Sequence, residues 1–244
     1  MSQGRQTSPL TVVMVHGAFA DSSSWAGVIE RLQQRGVQVM AAANPLRGIA
    51  DDSAYVASVF DQIPGPVLAV GHSYGGAVIS NAATDAENVV GLVFVSAFVP
   101  DEGEVLMEVV GTSKDSVLGT ALVPHQYPTG TGTATEFSID PAKVRDAFAG
   151  DLSDEQAALI GAVQRPVSEA GFSEPFGVPA WRTLPSWAVV ASGDKAAGAD
   201  VVRAHAERAG AEITEIDGSH VIMISRPEVV AEVIEAAIAK VGST

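Results

Sequence analysis

Residues 68–79, LAVGHSYGGAVI, change backbone type with no linker between the two halves. An apolar run that reads as a buried strand stops at Gly71, and an apolar helical pattern starts just beyond Gly75 and Gly76. Few folds allow a chain to pass from strand to helix around one serine fenced by glycines. At such a sharp turn, side chains at Gly71 and Gly75 would collide with strand and helix, and the turn itself forces Ser73 into a strained conformation. Its hydroxyl would then stand above the carboxyl edge of a sheet, at the positive end of the following helix.

The rest of the chain supplies that sheet. Residues 11–15, 37–42, 67–70 and 89–98 read as fully buried strands, and 187–191 and 212–216 add two more. Most lack alternation, as strands covered on both faces do. Between them lie helical patterns. Residues 22–35 place Trp25, Val28, Ile29 and Leu32 at helical spacing, and residues 52–63 carry Tyr55, Val56, Val59, Phe60 and Ile63 on one stripe. Ser225-Arg226-Pro227-Glu228 reads as a capping box opening a last helix with Val229, Val230, Val233, Ile234 and Ile238. Alternating strands and helices imply right-handed βαβ units: a six-stranded, mostly parallel sheet flanked by helices, as one α/β domain over 1–244. If the first and third strands are neighbours, their carboxyl ends form the switch point where ligands bind.

Residues of about 100–185 break the alternation. They contain no convincing strand, but have helix candidates at 103–110, 141–149 and 153–163 around a Thr/Gly/Pro-rich loop, 124–135. The expectation is a helical cap inserted after the fourth strand, on a core of 11–99 and 186–241.

Composition narrows the function. With no cysteine, thiolate nucleophiles and cysteine metal sites are excluded. A net charge of −15 argues against nucleic acid or anionic membrane as partner. The first ten residues carry no signal-peptide core, and the longest apolar run, 89–99, is well short of the roughly 20 residues of a membrane helix, so a cytoplasmic protein is expected.

Gly-x-Ser-x-Gly alone is weak: a chain with 24 glycines gives roughly 0.2 matches by chance, and a plain βα turn with an incidental serine competes with it. Its place between strand and helix is what a nucleophile elbow requires. A serine needs a base. His16 lies at the end of the first strand, His72 adjoins Ser73 with its ring expected to point away, His125 falls in the cap loop, and His205 falls on an expected exposed helix face. His220, in DGSHVIM after the last strand, alone has a setting suited to reach the serine. Asp194 ends WAVVASGD at the fifth strand's carboxyl edge and is the first choice to orient that histidine; Asp101 is an alternative, and Asp217 lies too near His220. The order Ser73, Asp194, His220 is the hydrolase order. By position, the Ala18 and Tyr74 amides would form the oxyanion hole.

At HGAF…W, GHSYGGAV, SGDKAAGADVVRAHAERAGA and DGSHVIMISRPEVVAEVI the chain resembles the α/β-hydrolase superfamily, in the compact branch of plant methylesterases, hydroxynitrile lyases and bacterial esterase relatives. The resemblance runs from about residue 12 to 239, and in the cap covers only its ends, SAFVPDEGE and FGVPAWRTLPSW. It implies a serine esterase needing no cofactor or metal, with a small-molecule ester or lactone as its partner. The lyases of that branch carry threonine after the first-loop histidine and lysine after the triad histidine; Gly17 and Val221 stand here. Gly17, Phe19 and Val221 are expected beside the substrate, with Phe98, Leu106, Met107, Leu122, Tyr127, Phe172, Phe176 and Trp181 as apolar lining from the cap. Two rivals remain: a lyase or perhydrolase on the same residues, and a receptor without turnover.

Overall fold

The computed structural model describes residues 8–242. The chain begins with β1 (Thr11–Val15), α1 (Ala26–Gln34), β2 (Gln38–Ala42), α2 (Ile49–Asp61), β3 (Val67–His72), α3 (Tyr74–Ala82) and β4 (Val89–Val95). It then leaves the sheet for α4 (Leu106–Gly111), β5 (Leu122–Thr129), β6 (Gly132–Ile139), α5 (Val144–Ala147), α6 (Asp154–Val163), β7 (Val167–Ser168) and α7 (Ala170–Ser173). It returns through β8 (Ser186–Ala191), α8 (Ala199–Arg208), β9 (Glu212–Ile216), α9 (Ile222–Ser225) and α10 (Pro227–Val241).

Six parallel strands form the sheet in the order β2-β1-β3-β4-β8-β9. β1 and β3 are neighbours, as expected, with Val15 opposite Gly71, so the loop after β1 and the turn after β3 leave the sheet side by side. β3 and β8 are buried at every residue because neighbours cover both edges and helices cover the faces. α1 packs on α10 and α2 on α3. Among the described residues no helix is long and apolar enough to cross a membrane.

Three expectations need correction. The segment expected to lack strands carries its short helices and also a three-stranded sheet, β5-β6-β7. Residues 124–135, read as a loop, lie within the antiparallel β5–β6 hairpin, where Gln126 faces Thr135. β5 is an edge strand, and an edge tolerates the missing N–H groups of Pro124 and Pro128 that argue against a strand in the sequence. Residues 37–42 are not a fully buried strand: β2 is at the sheet's edge and Gln38 and Met40 are turned outward. Nor does Ser225 cap α10. The Arg226 amide donates to the Ile222 carbonyl at 2.8 Å, which commits that backbone to α9, and α10 starts on Pro227, whose fixed φ suits a first helical position.

Candidate functional site

Where β3 ends, Ser73 takes φ 54° and ψ −125°, and α3 begins at the next residue. Such a conformation costs on the order of 1–3 kcal/mol in a residue with a side chain. Backbone bonds hold it: the Ser73 amide donates to the Val95 carbonyl at 3.2 Å, and its own carbonyl accepts from Gly76 and Phe98 at 3.0 and 3.1 Å. The surroundings leave no room for side chains. A methyl group on Gly71 would lie 2.5 Å from the Gly75 carbonyl oxygen, and one on Gly17 would lie 2.6 Å from Ser73 Cβ.

Two other loops reach the same point. His220 follows β9 and Asp194 follows β8. His220 Nε2 is 2.8 Å from Ser73 Oγ, and Nδ1 is 2.7 Å from Asp194 Oδ2. A carboxylate only accepts, so Nδ1 carries the imidazole proton and the bare Nε2 faces the hydroxyl. Asp194 Oδ1 accepts from the Ala196 and Ala197 amides, each at 2.9 Å, which fixes the carboxylate plane. Ser73 is 6% exposed, Asp194 and His220 1% each. The row can therefore pass a proton from hydroxyl to imidazole and hold the resulting charge away from water. The alternative acid, Asp101, instead pairs with Arg182 at 2.6 Å.

The buried Ala18 lies in the loop after β1. Tyr74 is the first residue of α3, so its amide has no carbonyl partner within the helix. Its hydroxyl donates to the buried Asp52 at 2.8 Å.

The sequence alone did not reveal what seats His220. The His72 ring packs on His220 with ring centroids 4.7 Å apart. Its Nε2–H donates to the His220 carbonyl at 2.9 Å. The Phe148 ring covers His220 at 5.0 Å. The only sequence signal for His72 was its place in GHS at the end of a central strand.

His16 and His205 are buried too; for His205 this corrects the expected exposed helix face. His16 Nε2 accepts the Asn44 amide at 3.0 Å, and His205 Nδ1 accepts the Val99 amide at 2.9 Å. Burial lowers both pKa values to about 4, and a proton on either accepting nitrogen would face a donor. His72 is shifted the same way, by burial first and then by His220. The unfolded chain thus binds protons that the folded one refuses as pH falls from about 6.5 toward 4, so stability present at neutral pH is lost in that window. At pH 5 the loss is about 2 kcal/mol for each of His16 and His205. Urea unfolding at pH 7.5 and 5 checks this: the midpoint should drop, His205→Gln should drop less, and equal midpoints would contradict it. Asp52, whose pKa burial raises, acts with the opposite sign.

The expected lining residues divide. Phe19 and Val221 line a cavity of about 250 Å³. Met107, Leu122 and Phe172 line a second of about 210 Å³. Gly17 is packed against Ser73 and His72. Phe98, Leu106 and Phe176 belong to the core. Tyr127 lies under Arg47 with its hydroxyl toward Ser168, and Trp181 donates to the Pro100 carbonyl at 3.0 Å; these five line neither cavity.

Known proteins resemble this chain in sequence and in fold. Lipase LipV of Mycobacterium tuberculosis is 27% identical over 266 residues, covering 94% of each chain. The crystal structure of polyneuridine aldehyde esterase superimposes with a TM-score of 0.79 at 21% identity, covering 94% of this chain and all of that one. Tomato methylketone synthase I, complexed as a variant with β-ketoheptanoate, reaches 0.77 at 21% identity, over 96% of this chain and 99% of its own. At these identities the structural likeness speaks for the fold. The alpha/beta hydrolase family matches residues 12–233, from β1 into α10, a span that holds Ser73, Asp194 and His220. The chain belongs to the alpha/beta hydrolase family.

Proposed function

We propose that the protein hydrolyses small to medium apolar carboxylic esters through an acyl-enzyme on Ser73. The observation that carries this reading is the buried row from Ser73 Oγ to His220 Nε2 at 2.8 Å and from Nδ1 to Asp194 at 2.7 Å. Ser73 Oγ attacks the ester carbonyl carbon as His220 takes its proton. The carbonyl oxygen gains charge against the Ala18 and Tyr74 amides, at the positive end of α3. His220 then returns the proton to the leaving alcohol oxygen as the ester C–O bond breaks. Water, deprotonated by the same imidazole, attacks the acyl-enzyme and releases the acid and Ser73. Asp194 keeps the proton on Nδ1 throughout.

The likeness to a protein named as a lipase and to one named as an esterase supports ester chemistry. Gly17 supports it over cyanohydrin cleavage: a side chain there would meet Ser73 Cβ, so the threonine expected of a lyase has no room, and Val221 offers no charge for a departing anion.

Hydrolysis of p-nitrophenyl esters from acetate to octanoate tests the reading, with Asp194→Asn as comparison. The Ala196 and Ala197 amides demand an acceptor at one position of residue 194, so the new NH₂ must turn to His220. That forces the imidazole proton onto Nε2, where it cannot accept from Ser73. The expected loss in kcat is about 10⁴-fold. Undiminished turnover in Asp194→Asn would contradict the mechanism.

A further inference from the structure

The loop that carries His220 is gripped at consecutive residues from different parts of the chain. The Gly218 carbonyl accepts from the Gly193 amide, in the loop after β8, at 3.0 Å. The His220 carbonyl accepts from His72, at the end of β3, at 2.9 Å. Between them, the Ser219 hydroxyl donates to Asp151 Oδ1. The first two holds come from the sheet and its own connections. The third comes from the inserted cap, between α5 and α6.

Asp151 stands in a turn of the cap that lies directly on the base. Phe148, in the same turn, packs its ring on that of His220 at 5.0 Å. The Ala149 amide donates to the Val144 carbonyl at 3.0 Å and the Leu152 amide to the Ala149 carbonyl at 3.1 Å, and Ser153 caps α6 by accepting from the Gln156 amide. These bonds set the course of the turn without help from Ser219. The turn comes close to the loop: a methyl group on Gly218 would lie 3.0 Å from Asp151 Oδ2.

The two partners depend on the bond unequally. Ser219 is 6% exposed, so its hydroxyl needs a partner inside the protein, whereas Asp151 reaches solvent and would be hydrated without it. Burial pushes the Asp151 carboxyl up, but hydrogen bonds, that of the Ser219 hydroxyl foremost, hold it below the ordinary carboxylate range. At neutral pH the bond is therefore charge-assisted, which is the stronger kind. It serves the loop more than the turn.

We propose that Asp151 is a positioning residue: through Ser219, the cap fixes the loop that places His220 Nε2 at 2.8 Å from Ser73 Oγ. This rests on the hydrolytic reading above and deepens it. The reaction asks His220 for two proton transfers in different directions, from Ser73 and then to the leaving alcohol. A misplacement of about 1 Å costs on the order of 10²-fold in rate. The hold on Ser219 removes that freedom, so the cap takes part in the chemistry through the base.

Kinetics on two butyrate esters test the proposal, with a thermal scan to verify that each variant folds. p-Nitrophenolate departs without a proton, whereas the methyl ester's leaving oxygen must take one from His220, so a displaced base slows the methyl ester more. Asp151→Ala should lower kcat/KM about tenfold for p-nitrophenyl butyrate and about a hundredfold for methyl butyrate, through kcat rather than KM. Asp151→Asn keeps an oxygen acceptor and should keep most of both rates. Ser219→Ala should reproduce the Asp151→Ala loss, and the double variant should add nothing to it. Ser153→Ala loosens the same turn by uncapping α6 and should leave both rates near those of the wild type. Equal slowing of the two esters, additive losses, an Asp151→Asn variant no better than Asp151→Ala, or a comparable loss in Ser153→Ala would overturn the proposal while leaving hydrolysis intact. A wild type that turns over neither ester would overturn the hydrolytic reading, and this proposal with it.

Discussion

Ser73→Ala is expected to lower kcat/KM for p-nitrophenyl acetate by about 10⁴- to 10⁶-fold, because it removes the hydroxyl that His220 Nε2 faces. Ser73 is the residue held above the sheet edge by its own strained backbone, with the bare nitrogen of His220 at 2.8 Å. Alanine removes the nucleophile and leaves the apolar side chains around it, such as Phe19 and Phe148, in place. KM should therefore change little beside kcat, and thermal stability should stay near that of the wild type. A variant that folds and keeps more than a tenth of the activity would exclude Ser73 as the nucleophile.

A large loss of stability is expected of Gly71→Ala. The added methyl would lie 2.5 Å from the Gly75 oxygen, 2.6 Å from the Gly75 carbonyl carbon and 2.7 Å from Gly76 Cα. All three are backbone atoms of α3, so no rotamer change can relieve the contact; the helix must move off the strand. Overpacking of this kind costs on the order of 3 kcal/mol, and in a chain of this size lowers Tm by roughly 6–12 °C. The same displacement would carry the Tyr74 amide and Ser73 away from His220, so activity should fall with stability. Gly130→Ala is the control, since a methyl there meets nothing within 4 Å. Equal Tm values for the two variants would show that the elbow does not depend on a bare Gly71.

The glycine-fenced serine and the parallel sheet were legible in the sequence for one reason: both rest on close backbone packing, which leaves a strong local mark. Gly71, Gly75 and Gly76 stand where backbone meets backbone, and β3 and β8 are apolar throughout because both faces are covered. The positions of Asp194 and His220 were legible because each follows a recognisable strand end, and the strand order then brings those ends together. The cap was less so. β5 faces solvent on most of its residues and contains two prolines, so neither alternation nor propensity marked it, and only pairing with β6 makes it a strand. His205 looked like a surface residue because helical spacing does not reveal that the Val99 amide, 106 positions away, needs its ring nitrogen. What His72 holds went unread for a similar reason: its partner is a backbone carbonyl from a distant loop. Contacts carried by backbone atoms of remote segments leave no pattern in the side chains that meet them.

The central claim is that Ser73 is activated by His220, and reaction with a fluorophosphonate tests it most directly. Such a reagent phosphonylates a serine whose proton is drawn off by a neighbouring base and leaves ordinary serines untouched. Peptide mass spectrometry of the labelled wild type should find a single adduct on the peptide carrying Ser73, none in Ser73→Ala, and much slower labelling in Asp194→Asn. An unlabelled wild type, or an adduct on another serine that persists in Ser73→Ala, would contradict the account.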